Sequence, residues 1–148
     1  MKRATTYRWE PPISFKEVLE REHERYQSRV KRIMGARKLI EALEPDLVRL
    51  RARSAHYDIE GNSGLVLDCR EDRATGRAVN ALFLDTGIFY GSGDRLIETL
   101  IEIGYHLERT TNLVHPRGAI LRRPKTQLRV VARCTEGYAA HLEAREAA

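Results

Sequence analysis

Four arginines recur along residues 14–43 at a spacing that places them on one face of a predicted helix. Successive members are four, four and three residues apart, so at about 3.6 residues per turn their side chains align. No acidic residue lies between Arg25 and Ile40 to neutralise them. Aligned guanidinium groups neutralise phosphates, which is the usual source of sequence-independent affinity for nucleic acid. The four members of this arginine stripe are Arg21, Arg25, Arg29 and Arg32.

A second basic cluster lies in a predicted β-hairpin nearer the C-terminal end. Two of its members are four residues apart on one predicted strand, so they share a strand face. The others lie close to them across the turn. This hairpin cluster consists of Arg122, Arg123, Lys125, Arg129 and Arg133. We expect both basic surfaces to contact nucleic acid, a nucleoprotein complex or an acidic protein partner. The alternative is a solvated charged face, partly paired with the acidic residues of segment 55–115.

Asp85, Thr86 and Gly87 directly follow the apolar residues 82–84. This tripeptide resembles the catalytic tripeptide of aspartic proteases, whose dimers bring two such carboxylates together to share a proton. The resemblance covers these three residues and the preceding LFL, and it implies an enzyme in which Asp85 is a catalytic carboxylate. A predicted helix follows where those proteases have a β flap. Asp and Gly also suit a short turn because both tolerate positive φ, so we expect Asp85 to be a turn residue.

Asp58 and Asp68, taken with Asp85, suggest a metal-dependent nuclease. Such sites usually add a Glu and a Lys on adjacent strand positions, and the predicted core strands carry no Lys. The five histidines are scattered, and among them His56 alone shares a weak metal-ligand spacing with a nearby carboxylate, that of Asp58. Residues 91–94 open a helix but lack the Lys of a P-loop and the fingerprint of a dinucleotide site. We therefore expect no metal, no cofactor and no enzymatic activity.

The element that positions the arginine stripe is a long predicted helix. Ser14 and Glu17 form a capping box at its start. The apolar pattern continues to about Leu43, which gives a length of roughly 40 Å at 1.5 Å per residue. Its narrow apolar face packs only partly on its own domain, so we expect a homodimer or a partner to cover the rest. The apolar positions are Phe15, Leu19, Tyr26, Val30, Ile33 and Ile40. Pro45 predicts a break near Glu44 and a new short helix.

From residue 55 the pattern becomes strand-like. HYDIE and LVLDCR predict a hairpin across the turn at 61–64, and AVNALFL predicts a third strand. A helix over 94–109, a loop over 110–118, a hairpin of AILRR with QLRVVARC and a helix after Thr135 complete the order. The predicted class is α+β, with a long N-terminal helix, an antiparallel β meander, a central amphipathic helix, a C-terminal β-hairpin and a short helix.

The length of 148 residues suits one α+β domain over 13–148, helical over 13–54 and with sheet plus helices over 55–148. Residues 1–12 are expected to form an extended arm, because Pro11 and Pro12 disfavour a helix. Its aromatic residues either pack on the domain or dock a partner. These two docking-arm residues are Tyr7 and Trp9.

The composition indicates a soluble protein. The first basic residues are followed by no apolar h-region, and the uncharged apolar runs are too short for a bilayer. Cys69 and Cys134 show no CxxC spacing, so we expect reduced thiols, a cytoplasmic location and no membrane association.

These patterns predict a small non-catalytic intracellular protein whose basic surfaces bind nucleic acid or a nucleoprotein complex. The first alternative is a homodimeric protein-interaction, adaptor or chaperone-like module with an acidic protein partner, although a pI of 9.5 argues against the chaperone. The second alternative is an enzyme that uses Asp85 or a metal site at Asp58 and Asp68.

Overall fold

A computed structural model describes residues 10–60, 63–64, 66–67, 79–86 and 92–147. The helices are α1 (Phe15–Gly35), α2 (Arg37–Ala52), α3 (Ser92–Glu102) and α4 (Glu136–Ala147). The strands are β1 (Asp58–Ile59), β2 (Val66–Leu67), β3 (Val79–Asp85), β4 (His106–Thr111), β5 (Arg117–Arg122) and β6 (Arg129–Cys134). Helices and a mixed sheet that are largely separate along the chain confirm the predicted α+β class.

Ser14 is the N-cap of α1 as predicted, and the Glu17 side chain reaches back past it to Ile13. Ser14 Oγ accepts a hydrogen bond from the backbone N–H of Glu17 at 3.1 Å. The carboxylate of Glu17 accepts from the backbone N–H of Ile13 at 2.8 Å. The first bond satisfies one of the otherwise unpaired donors at the helix start, and the second ties Ile13, the residue before the N-cap, to the first turn.

The predicted helical break near Glu44 is wrong, because the break lies at Ala36, between α1 and α2. Gly35 has a low helix propensity, and Ala36 leaves the helical conformation with φ −91° and ψ 4°. Pro45 instead lies inside α2. Its ring removes the N–H that would bond the carbonyl of Glu41, but does not end the helix.

The predicted helix over 94–109 is too long, because α3 ends at Glu102 and residues 106–111 form β4. Gly104 has a positive φ of 114°, a conformation that glycine adopts without steric cost. The N–H groups of Gly104 and Tyr105 donate back to the carbonyls of Ile101 and Leu100, each at 3.0 Å. This closure of the last turn redirects the chain into a strand, most of which lies where the helix was expected to continue.

Five strands form a sheet in the order β1-β3-β6-β5-β4, and β2 also pairs with β3. The hairpin of β5 and β6 forms as predicted, with Arg122 opposite Arg129. Strands β3 and β6 are parallel neighbours at the centre. In the part of the chain that the structure describes, β1 and β2 both pair with β3 and not with each other, so the predicted hairpin between them is wrong.

The main core lies between one face of this sheet and the helices α2, α3 and α4. Leu43 and Leu50 of α2, Ile97 of α3 and Leu142 of α4 are fully buried there. A smaller cluster on the other face consists of Ala81, Phe83, Ile120 and Val131. Helix α1 contributes no buried residue to either cluster. It is therefore the element of the described chain whose surface is most open to a partner.

Candidate interaction surface on the first helix

The arginine stripe lies along the outside of α1. Arg25, Arg29 and Arg32 are exposed, and Arg21 is half-buried. Arg25 lies 3.1 Å from Glu22, and Arg29 lies 4.0 Å from Asp58. The members of both pairs are well exposed, and such pairs contribute only about 0–1 kcal/mol because water and salt screen them. These contacts leave the guanidinium groups of Arg25 and Arg29 accessible to a phosphate.

An apolar stripe runs along a separate face of α1. Its large apolar side chains are between 43% and 82% exposed, although they recur at helical spacing. The large apolar members are Phe15, Leu19, Tyr26, Val30 and Met34. Ile33, which the sequence analysis placed in this stripe, is half-buried, and Met34, which it missed, is exposed. The four-residue spacing from Val30 was the available signal for Met34.

The hairpin cluster is largely turned inward, which the sequence analysis did not foresee. Arg129 is fully buried. Its Nε donates to Glu108 Oε2 at 3.1 Å, and its NH2 lies 2.9 Å from Glu108 Oε1. Its NH1 donates to the backbone carbonyl of Gln127 at 2.7 Å. Arg122 also approaches Glu108, at 3.7 Å. Arg129 therefore stabilises the hairpin and is not accessible to a phosphate.

Arg123 joins the hairpin to α2. Its Nε lies 3.0 Å from the carboxylate of Asp46, and its NH1 donates to the carbonyl of Ala42 at 3.0 Å. The hydroxyl of Tyr105 donates to the same buried carboxylate at 2.7 Å. Burial, followed by this hydrogen bond, raises the pKa of Tyr105 well above its usual range. The group is therefore a neutral structural donor.

Arg133 lies between two carboxylates at one end of the sheet, 3.6 Å from Glu60 and 3.9 Å from Asp85. Burial and the nearby charge of Asp85 raise the pKa of Glu60, against the opposing effect of Arg133. Lys125 differs from the rest of the cluster, since it is exposed in the turn with φ 62°. The hairpin therefore offers a phosphate much less charge than its sequence indicates.

The structure describes only some of the residues considered for catalysis. Asp85 ends β3 opposite Asp58 of β1, while Gly87 and Asp68 lie outside the described residues, as do Tyr7 and Trp9. Asp94 accepts from the backbone N–H and the hydroxyl of Thr135, each at 2.9 Å, and so ties α3 to the start of α4. Across the described ranges, no three His, Cys, Asp or Glu side chains come together as metal ligands.

Two further findings bear on partners. None of the helices in the described segments has both the length and the apolar character needed to cross a membrane. Comparison of the chain with protein-family models, with curated proteins and with solved structures gives no match.

Proposed function

We propose that this protein is a non-catalytic binding protein that contacts nucleic acid, free or within a nucleoprotein complex, through the arginine stripe of α1. The observation that carries this proposal is that α1 has no buried residue and exposes three of its four stripe arginines. Lys31, also on α1, is exposed as well. A helix with this exposed charge can present several guanidinium groups to a phosphate backbone.

The uninterrupted run of positive charge supports the same proposal. The segment from Arg25 to Lys38 contains six basic residues and no acidic one. Each phosphate contact by such a residue releases condensed counterions, which favours binding and makes it strongly salt-dependent. The hairpin cluster contributes less, because Arg129 is buried and Arg123 is held by Asp46.

The test compares two variants with the same net charge. The stripe variant replaces Arg25, Arg29 and Arg32 with Gln. The control replaces three exposed arginines outside α1 with Gln. They are Arg51 on α2, Arg53 directly after α2 and Arg95 on α3. Affinity for mixed-sequence duplex and single-stranded nucleic acid is measured by fluorescence anisotropy over a range of salt concentrations. The slope of log affinity against log salt should become shallower by about 0.9 per lost duplex contact in the stripe variant.

The control variant should keep nearly the wild-type slope, because its lost charges lie away from α1. Equal weakening of the two variants would show that net charge alone drives binding and would contradict the assignment to α1. Absence of binding by the wild-type protein at low salt would exclude direct contact with nucleic acid.

A second candidate function, a protein-interaction module, is favoured by a separate observation, the exposed apolar stripe. Apolar side chains aligned on one face of a helix are typical of surfaces that pack against another helix. Nucleic-acid binding would use the arginine stripe and protein interaction the apolar stripe. The two stripes lie on separate faces of α1, so the two functions are compatible.

A further inference from the structure

We infer that the apolar stripe of α1 binds the same stripe of a second copy, with the two helices antiparallel. Most helical stability in proteins comes from packing of an amphipathic face, and isolated helices are marginal in water. Helix α1 has 21 residues and none of them is buried in the described chain. A stable α1 therefore needs a surface that covers its apolar stripe.

The spacing of the stripe identifies that surface as a second α1. With His23 included, successive stripe positions are four, four, three, four and four residues apart, which reads the same in both directions. The six positions compared are the five apolar members Phe15, Leu19, Tyr26, Val30 and Met34 together with His23. A two-fold symmetric contact must be self-complementary. If one residue of the first copy meets a second residue of the other copy, the same pair also meets with the copies exchanged. Antiparallel pairing about the point between Glu24 and Arg25 meets this condition along the whole helix.

The facing residues in this register are apolar at both ends. Phe15 meets Met34 of the second copy, and Leu19 meets Val30 of the second copy. His23 lies beside Tyr26 of the second copy near the two-fold axis. At 1.5 Å per residue the contact extends over about 30 Å, or more than five helical turns.

The charge distribution favours antiparallel over parallel pairing. Residues 15–24 contain four glutamates and two basic residues, whereas residues 25–35 contain four basic residues and no acidic one. Antiparallel pairing brings each acidic half level with the basic half of the other copy. Parallel pairing would place the two basic halves side by side, which like-charge repulsion disfavours.

The position of the rest of the domain favours the same orientation. The C-terminal end of α1 joins the α/β body at the buried Ala36, and Arg29 approaches Asp58 of β1. Both contacts lie in or next to the C-terminal half of α1. An antiparallel pair therefore places the two bodies at opposite ends of the helices, where they do not compete for space.

The first test measures molecular mass by sedimentation and light scattering on nuclease-treated full-length protein. The wild type should be a dimer of twice 17.0 kDa at micromolar concentration. Leu19→Glu and Val30→Glu should weaken dimerisation by roughly 100-fold or more, because each places two charges in an apolar contact. Val48→Glu is the matched control, since Val48 is also an exposed apolar residue but lies on α2.

Circular dichroism and thermal melting should show that all three variants fold. A monomeric wild type, or a dimer that persists in both α1 variants, would overturn the inference. Dimerisation needs no nucleic acid, so this mass measurement and the salt-dependent binding measurement can fail separately.

The second test determines the orientation by oxidative cross-linking. The Leu19→Cys and Val30→Cys chains carry tags of different length, so that their disulfide-linked dimers can be told apart by size. Each variant is oxidised alone and in a mixture of the two. Oxidised wild type shows the background of cross-links through Cys69 and Cys134. The mixture should yield a 19–30 heterodisulfide, because disulfides need Cα atoms within about 7 Å. Two copies of position 19 lie roughly 16 Å apart along an antiparallel pair and should not cross-link. Homodisulfides of each variant without the heterodisulfide would overturn the antiparallel arrangement.

Discussion

Arg129 and Glu108 form a two-point ion pair across the sheet, with Arg129 fully buried on β6 and Glu108 on β4. The intervening strand β5 separates their backbones, so the long guanidinium side chain reaches across it. The positive charge of Arg129, which the sequence analysis assigned to a binding surface, is therefore paired inside the fold.

Breaking this pair should destabilise the fold strongly. Glu108→Gln removes the carboxylate that pairs with the buried guanidinium of Arg129, and breaking a buried pair in this way costs about 3–5 kcal/mol in unfolding free energy. Urea denaturation followed by fluorescence and circular dichroism measures the loss. The double variant Arg129→Met with Glu108→Leu is the control, and it should recover most of the stability because no unpaired buried charge remains. A single variant as stable as the wild type would mean that the pair is open to water.

The buried thiol of Cys134 should make stability fall in alkali. Burial, followed by the nearby charge of Asp94, raises the pKa of this thiol to about 11 from an ordinary value of 9.0. Above the ordinary value the unfolded chain loses the proton while the folded chain keeps it, so the unfolded state gains stability. The unfolding free energy should fall by about 1.4 kcal/mol per pH unit between the two values.

Denaturation curves of the wild type and Cys134→Ala, compared from neutral pH into this alkaline range, isolate the thiol. The other titrating groups are common to both proteins, so their effects cancel in the difference. The alanine variant should show a shallower decline with pH. Parallel curves would indicate that the thiol ionises in the folded protein as it does in the unfolded one.

Adding a methyl group at Gly93 should separate α3 from the sheet. A Cβ atom there would lie 1.9 Å from the backbone carbonyl oxygen of Arg133, which cannot move without shifting β6. Gly93→Ala should therefore lower the melting temperature by several degrees. Gly137→Ala is the matched control, because nothing lies within 4 Å of a Cβ added to α4 at that position. Alanine there should raise stability by up to about 1 kcal/mol through its higher helix propensity.

Pairing of α1 should also affect nucleic-acid binding. The arginine stripe lies roughly 130° around α1 from the apolar stripe, at 100° per residue. In an antiparallel two-fold pair, both arginine stripes consequently lie on the same side. Leu19→Glu should therefore reduce the salt slope of binding by about half, since one stripe instead of two remains in contact. Val48→Glu should leave the slope unchanged, and an unchanged slope in Leu19→Glu would show that each copy binds alone.

Two local patterns predicted local structure correctly in this chain, the helix start at Ser14 and the β5–β6 hairpin. Ser14 and Glu17 are three residues apart, and their capping box depends on little beyond that segment. The β5–β6 hairpin similarly depends on a turn of a few residues. The parallel pairing of β3 with β6 could not be predicted, because its partners are separated by two further strands and a helix along the chain.

The basic cluster shows a second limit of sequence reasoning. The spacing of Arg129 and Arg133 correctly places them on one strand, but it carries no information about depth. Strand β6 lies between β3 and β5, so a charged residue on it can be covered on all sides. The same limit applies to α1, where Ile33 and Met34 are adjacent in sequence but differ in exposure because the domain covers the former.

The separation of α1 from the core divides the chain into residues that maintain the fold and residues that meet partners. Substitutions of the exposed stripe arginines on α1 remove no buried side chain, so they should change affinity while leaving the unfolding free energy nearly constant. Substitutions in α2, α3 and the sheet should do the reverse. A library of variants scored in parallel for abundance and for binding would therefore fall into two groups, and α1 could be replaced by a helix of different specificity without redesign of the domain that carries it.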